Sequence, residues 1–410
     1  MIDLPTPLLL AQLAVWQVVF YAVAASIIVA AATGLVRGSE RFLLVRKYLL
    51  RKLAPLFAAL AVMLCSAMVI IVISIMGGFL DMMRNSVRSL TGDVMVIGDM
   101  TGFPHYEELI EQIEAIALPD RRGEPQPAVV AATPIVRTYG LVKLHGMVST
   151  VEVEGIDAGS YAQVTGYEDT LYWTGERLAD DLQKQVDRNG THWPADYSRA
   201  VEQEIKTLRG MAVRQYGMTF SAPQNVYEQP PYAGREIPGM VPGIEVDPFN
   251  RRTTEGHYDS TEHLGLFQPA TLTVVPLTRE GGVRETAVRE FVVSNEYKSG
   301  LYDIDRMRVY VPFGVLQEML DMHAKQVATE FDPQTGEIIG EAYQRPSRAS
   351  EVMIKAAPDV SAAVLRDAVD AVARDFRQPH AADGVHVEVI TWRDKHATLL
   401  GVLAEVTDET

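Results

Sequence analysis

The sequence has 410 residues, 48% of them hydrophobic and 22% charged, with a formal net charge of −16 at neutral pH. Residues 1–80 hold six Lys/Arg and two Asp/Glu, which leaves 31 Lys/Arg and 51 Asp/Glu for residues 81–410. So acidic a region repels nucleic acid and excludes it as a partner, and with Cys65 as the sole cysteine no disulfide framework holds the chain together.

The first part reads as membrane. Residues 4–36 carry no charge, include Trp16 and Tyr21, and follow only Asp3. The run is longer than a signal-peptide core and lacks a basic leader, so a retained, additional N-terminal transmembrane helix is expected there. Residues 53–80 are a second uncharged run of 28 residues. As a helix it would be ~42 Å long, against ~30 Å of bilayer hydrocarbon, enough to span with tilt.

Between the two runs, residues 37–52 form a basic amphipathic loop. Arg37, Arg41, Arg46, Lys47, Arg51 and Lys52 face a lone Glu40 and interleave with Phe42, Leu43, Val45, Leu49 and Leu50. The positive-inside rule puts this loop in the cytoplasm and everything after residue 80 outside. Such a collar serves equally as a docking helix for a partner or as a snorkelling anchor.

Beyond the membrane, a polar helix is expected after Gly77-Gly78-Phe79, then a strand at 93–97. A helix from Pro104 to about Leu118 has Leu109, Ile110, Ile113 and Ile116 on one face. Residues 129–156 read as β, with turn signals at Thr138-Tyr139-Gly140 and His145-Gly146. The pattern returns near the end: a strand at 351–355, a helix capped by Ser361 that aligns Leu365, Val369, Val372 and Phe376, and a strand with alternating Val385, Val387 and Val389. Two such strand–helix–strand units pair into one sheet with helices on one side, a ferredoxin-like arrangement.

The residues between them read as an insertion. Residues 166–262 are polar, with helices near 178–186 and 200–216 and an irregular, surface-lying Pro/Gly/Tyr-rich stretch at 223–258. Residues 269–315 are β, a helix follows to about His323, and 332–348 is loop-like. The fold class is therefore α+β: transmembrane helices, then a large extracytoplasmic region with a ferredoxin-like subdomain (81–165 and 345–392) and an inserted β-rich subdomain (166–344).

Catalytic chemistry is not written here. The sequence has no Gly-Lys-Ser/Thr phosphate loop, no Gly-x-Ser-x-Gly elbow and no His-Glu-x-x-His pair. His257, Asp259, Glu262 and His263 lie close together but match no standard metal spacing and read as polar loop. Carboxylate pairs such as Asp180-Asp181 and Asp303/Asp305 read as solvated surface. The chain is thus expected not to be an enzyme, with no catalytic, cofactor-binding or metal residues.

Five stretches, in order, resemble the permease subunits of the MacB-like (type VII) ABC transporter superfamily, and within it the lipoprotein-releasing LolC/LolE type. They are SIMGGFLDMMRNSVRSLTGDVMV at 74–96, VEVEGIDA at 151–158, IPGMVPGIEV at 237–246, FVVSNEYKSGLYDIDRMRVYVPFGVLQEML at 291–320 and VITWRDKHATLLGVLAEV at 389–406. The fourth, with its Ser-Gly-x-Tyr-x-x-Asp between two strands, is the strongest.

The resemblance implies a porter-like ferredoxin-type subdomain with a β-rich insertion, in the inner (cytoplasmic) membrane with the bulk of the chain periplasmic. It implies a separate cytoplasmic ABC ATPase, which would bind the ATP, and a second permease subunit, identical or not. The collar at Arg46 and Lys47 would touch the ATPase, and Gly77, Gly78 and Phe79 would join the helix to a periplasmic domain that moves a lipoprotein or other amphiphile. Residues 4–36 are extra relative to that pattern, and the polar stretch at 166–262 is longer. Residues 393–410 would lead into three further membrane helices, so a truncated or split permease, or a permease half, is expected. A membrane-tethered scaffold or ligand-binding sensor is the alternative reading, and a membrane-anchored hydrolase a third.

Overall fold

The computed structural model describes residues 53–119, 123–189, 194–254, 256–260, 266–277, 282–328 and 342–395. The expected helix at 4–36, the collar with Arg46 and Lys47, and most of the 393–410 segment lie outside them. The chain divides into two compact units, Met1–Arg84 and Asn85–Thr410.

Helix α1, Leu53–Thr91, is 39 residues long and begins in the first unit. Its stretch Leu60–Gly78 has a mean hydropathy of 2.7 and is not buried by any of the described residues. Val62, Leu64, Ile70 and Ile75 are each about two-thirds exposed. Exposing such side chains to water costs ~1.5–3 kcal/mol apiece, which a bilayer relieves. The sequence suggested a break at Gly77-Gly78 before a separate polar helix; instead one helix runs through. Two glycines weaken a helix by only ~1 kcal/mol each, and no proline stands nearby to remove a backbone hydrogen bond.

The second unit is organised around a long strand. β1 (Val94–Gly98) leads to α2 (Tyr106–Glu114), then β2 (Val129–Leu144) and β3 (Met147–Ile156), joined by the tight turn at His145–Gly146. The helix α3 (Ala158–Val164) is capped by Asp157, whose Oδ1 accepts from the Ser160 N–H at 2.9 Å. The helices α4 (Gly175–Asn189) and α5 (Ala195–Arg209) pack through Ala179, Val201 and Ile205. Then come β4 (Gly239–Pro242), β5 (Pro269–Val274), β6 (Ala287–Val293), α6 (Tyr302–Met307), β7 (Arg308–Pro312), α7 (Phe313–Met319), β8 (Glu351–Ala356), α8 (Ala362–Arg377) and β9 (Val387–Thr391).

The strands order as β5-β6-β4-β7-β3-β2-β8-β1-β9, and β5 pairs back onto β2. Residues 129–135 of β2 pair with β8, giving a four-stranded antiparallel sheet β2-β8-β1-β9. Residues 140–144 of the same strand pair with β5, which closes β2 and the other five strands into a six-stranded ring. This explains why Thr138-Tyr139-Gly140 is not the turn its residue types suggest: it is where β2 passes from sheet to ring. Gly140 is needed there because a Cβ would stand 2.7 Å from the Thr273 carbonyl oxygen of β5.

Alternation along each strand separates three layers. Val142, Val151, Val153, Leu272, Phe291, Val293, Val309 and Val311 fill the ring. Val94, Val96, Val352 and Ile354 face Leu109 and Ile113 of α2 and Leu365, Val369 and Phe376 of α8. Met95, Ile135 and Met353, on the opposite face of that sheet, meet Tyr161 and Val164 of α3 together with Tyr167 and Trp392.

Local expectations shift in three further places. Pro104 belongs to a two-residue strand, Phe103–Pro104, paired with Arg348–Ala349, so α2 begins later and ends at Glu114. The stretch at 223–258 is not all irregular surface, since it contains the fully buried β4. Ala342–Arg345 is a strand paired with Lys325–Ala328, rather than loop.

Candidate functional site

The site is the point where the chain enters and leaves the four-stranded sheet. After α1 ends at Thr91, Gly92 takes the left-handed conformation (φ 66°) that stops a helix, and a Cβ there would press on the Ile354 carbonyl oxygen and on Val164. Asp93, buried, is held on three sides. Its N–H donates to Ile354 O at 2.9 Å, its Oδ2 accepts from the Ala356 N–H at 3.0 Å, and its carbonyl accepts from the Trp392 N–H at 3.3 Å. Val94, the first residue of β1, lies opposite Thr391, the last of β9. Inbound and outbound connections therefore share one end of the sheet.

Beside this junction lies a largely buried ladder of alternating charge. Arg137 on β2 faces Glu154 on β3 in register, and Arg308 on β7 faces Glu152. Arg137 Nη2 is 2.8 Å from Glu154 Oε1 and 3.4 Å from Glu351 Oε2 on β8, and its Nη1 is 3.5 Å from Glu152 Oε1. Arg308 donates from Nε and Nη2 to Glu152 Oε2, at 3.0 and 2.9 Å, and Nε is 3.2 Å from Glu154 Oε1. Lys395, just past β9, donates to Glu351 Oε2 at 2.8 Å. Three cations thus meet three carboxylates on the outer wall of the ring, where it adjoins the sheet. The hydroxyl of Tyr161 lies 3.3 Å from Glu154 Oε2 and 3.4 Å from the Leu90 carbonyl, linking the ladder to the last turn of α1.

Burial works against every charge here, and the partners outweigh it for most. Desolvation opposes the Arg137 and Arg308 charges, but Glu154 and its neighbours hold both guanidinium pKa values above the usual value. Desolvation likewise opposes Glu152 and Glu351, yet the arginines, and Lys395 beside Glu351, pull both below the ordinary carboxylate range. Lys395 is the exception: burial, aided by Arg137, lowers its pKa despite Glu351. Tyr161, Tyr167 and Tyr297 are pushed up, chiefly by burial, and Tyr310 to about 12. Among the described residues, Arg137 Nε and Arg308 Nη1 are buried without a hydrogen-bond acceptor, so the ladder keeps spare donors. A cleft of about 230 Å³ opens beside Arg137 and Glu351, lined also by Ile97, Met100 and Tyr139. A larger open groove, about 840 Å³, is lined by residues such as Phe220, Tyr227, Arg235 and Arg289 and shares no residue with the ladder.

A second buried acid lies in the loop after β6. Glu296 accepts from Trp173 Nε1–H at 2.5 Å and Asn250 Nδ2–H at 2.8 Å, and burial, with Asp247 nearby, pushes its carboxyl up to about 8. In the Ser-Gly-x-Tyr-x-x-Asp turn, Asp305 Oδ1 accepts from Ser299 N–H and Oγ–H, both at 2.6 Å, and Oδ2 from Gly300 N–H at 3.2 Å. This motif is a structural lock. Asp305 and Asp181 are buried, against their reading as solvated surface, whereas Asp180 is exposed.

Of the residues singled out by sequence, Gly77 and Gly78 lie exposed inside α1, and a Cβ on either would meet nothing within 4 Å. Phe79 continues the same helix. His257 and Asp259 stand at a short strand pair (Asn250–Arg252 with Tyr258–Ser260), while Glu262 and His263 lie outside the described residues. The ladder itself went unread among so many acids, although Glu152 and Glu154 alternate with Val151 and Val153 in a strand that both ring and sheet bury.

Residues 56–188 match the model of the MacB-like periplasmic core domain. The periplasmic region of MacB from Actinobacillus actinomycetemcomitans is 10% identical, with 76% of this chain and 95% of that one covered and a TM-score of 0.30. The extracellular domain of the noncanonic ABC-type transporter YknZ from Gram-positive bacteria is also 10% identical, covering 73% and 98%, with a TM-score of 0.32. No curated protein matches the chain.

Proposed function

We propose that the chain is a permease-type component of an ABC transporter of the MacB-like kind, closest to the LolC/LolE type, set in the cytoplasmic membrane and crossing it more than once. A separate cytoplasmic ATPase hydrolyses ATP, and this chain performs no covalent chemistry and holds no cofactor. The observation that carries the reading is continuity. The apolar stretch Leu60–Gly78 lies in one uninterrupted helix that ends at Thr91, directly before the buried junction at Gly92–Asp93, and the family match at residues 56–188 spans both.

The mechanism follows from that connection. ATPase movement, received at the collar around Arg46 and Lys47, travels along α1 and enters the sheet at its central strand β1. The split order of the four strands, with α2 and α8 on one face, supports a porter-like ferredoxin-type subdomain, and the ring supports the inserted β-rich one. The charge ladder ties the two together, and its spare donors let it re-pair as they shift. The cargo class is a lipoprotein or other amphiphile, and a second permease subunit completes the pathway.

The test is retention from native membranes in mild detergent, with mass spectrometry of what the tagged chain holds. A stoichiometric nucleotide-binding subunit is expected, lost in the Arg46→Glu/Lys47→Glu double variant. Recovery of the chain without any ATPase would favour a membrane-tethered scaffold instead.

A further inference from the structure

On the helix-covered side of the four-stranded sheet, two histidines and two carboxylates from distant parts of the chain converge. His105 and Glu108 come from the start of α2; His380 and Asp383 come from the connection between α8 and β9. One ligand atom from each of His105, His380 and Asp383 falls within 4.8 Å of the others. His105 Nε2 is 3.2 Å from Asp383 Oδ2, and His380 Nδ1 is 3.9 Å from the same oxygen. The two imidazoles stack at 4.4 Å between centroids, and the opposite nitrogen of His380 lies 3.2 Å from Glu108 Oε2.

We propose that His105, His380 and Asp383 form a binding site for a divalent transition-metal cation, with Zn²⁺ the best match, and that Glu108 orients His380 from its far side. Three observations carry it. His105 stands at φ 60°, a left-handed conformation uncommon for a residue with a Cβ, and although its carbonyl accepts from the Leu109 N–H at 3.2 Å, its side chain makes no capping bond to the helix that it precedes. The imidazole is therefore directed to His380 and Asp383 rather than used as a helix cap. Two stacked imidazoles would repel each other as cations; as neutral ligands flanked by two carboxylates they supply two nitrogens and a charge of −2, which a divalent ion balances. Mixed imidazole and carboxylate donors suit Zn²⁺, and a carboxylate against the second nitrogen of a ligating histidine is the usual means of fixing its ring. Phe376, buried in the sheet-facing core, packs its ring 4.6 Å from that of His380 and backs the site. The bound ion would pin the α8–β9 connection onto α2.

The proposal is tested on the full chain in detergent, stripped with chelator and titrated with ZnCl₂ by calorimetry, with Co²⁺ absorption as a geometric readout. One Zn²⁺ per chain is expected, together with visible Co²⁺ bands and a Tm raised by Zn²⁺. His105→Ala and His380→Ala should abolish all three responses. Asp383→Asn and Glu108→Gln, both at half-exposed positions that folding tolerates, should weaken binding by about 10–100-fold. The His257→Ala/His263→Ala double variant should bind as the unaltered chain does. Absence of saturable Zn²⁺ binding, or binding that survives His105→Ala and His380→Ala, would overturn the assignment.

Discussion

Arg137 illustrates how much one side chain holds at the join of sheet and ring. It stands in register with Glu154, which is wholly buried, and reaches toward Glu351 and Glu152 as well. Only a planar guanidinium presents enough donors, in a fixed fork, to serve three carboxylates from one position. Arg137→Ala leaves Glu154 with Arg308, at 3.2 Å, as its remaining ion-pair partner among the described residues. Breaking one side of a buried ion pair typically costs about 3–5 kcal/mol, because the surviving charge stays desolvated. That loss is the expected outcome, read from urea unfolding of the detergent-solubilised chain. Arg137→Lys should fall between, since an ammonium cannot bridge all three. The paired change Arg137→Met/Glu154→Leu should recover most of the stability, since it removes charge and desolvation together.

At the scale of elements, close backbone approach explains both what the sequence displayed and what it concealed. The helices α2 and α8 and the strands β1, β8 and β9 were legible because periodic apolar residues, a serine cap and short alternating runs are local signals. The sharing of β2 was not, because Thr-Tyr-Gly has the composition of a turn while the glycine is there to let β5 approach. The short strand β4 was hidden in the same way. Its Gly239 and its neighbour Gly243 sit where a Cβ would stand 2.4 Å from the Phe220 carbonyl carbon and 2.0 Å from the Asp305 carbonyl oxygen, respectively. The Gly-x-x-x-Gly spacing thus reports contact with other segments, which a strand pattern cannot show. Gly243→Ala should therefore destabilise by about 3 kcal/mol through backbone overlap. Gly77→Ala and Gly78→Ala meet no neighbour within 4 Å among the described residues and should not destabilise the chain, each adding up to about 1 kcal/mol of helix propensity. On the proposed mechanism those two variants nonetheless slow cargo movement, which separates a coupling role from a structural one.

For the molecule as a whole, the buried acids set opposing limits on pH stability. Glu152 and Glu351 have pKa values lowered from 4.5, so what they contribute is present above that value and is lost as pH falls through their depressed pKa values. Glu296 behaves oppositely. Its carboxyl is raised from 4.5 to about 8, so its contribution is complete below pH 4.5 and is lost as pH rises through about 8. Asp305, raised chiefly by burial, acts in the same sense. Stability should therefore peak near about pH 5 and decline toward pH 8 by on the order of 3 kcal/mol. Thermal unfolding of the solubilised chain across that range is the measurement. Glu296→Gln, which keeps an oxygen for Trp173 Nε1–H but cannot ionise, should flatten the decline between pH 4.5 and 8 and leave the acid limb in place. Arg137→Ala should do the reverse, shrinking the acid limb by removing the cation that most depresses Glu351 and that adds to Arg308 in depressing Glu152. A flat profile in the unaltered chain, or an alkaline decline that survives Glu296→Gln, would mean that Glu296 is not the group that sets the alkaline limit.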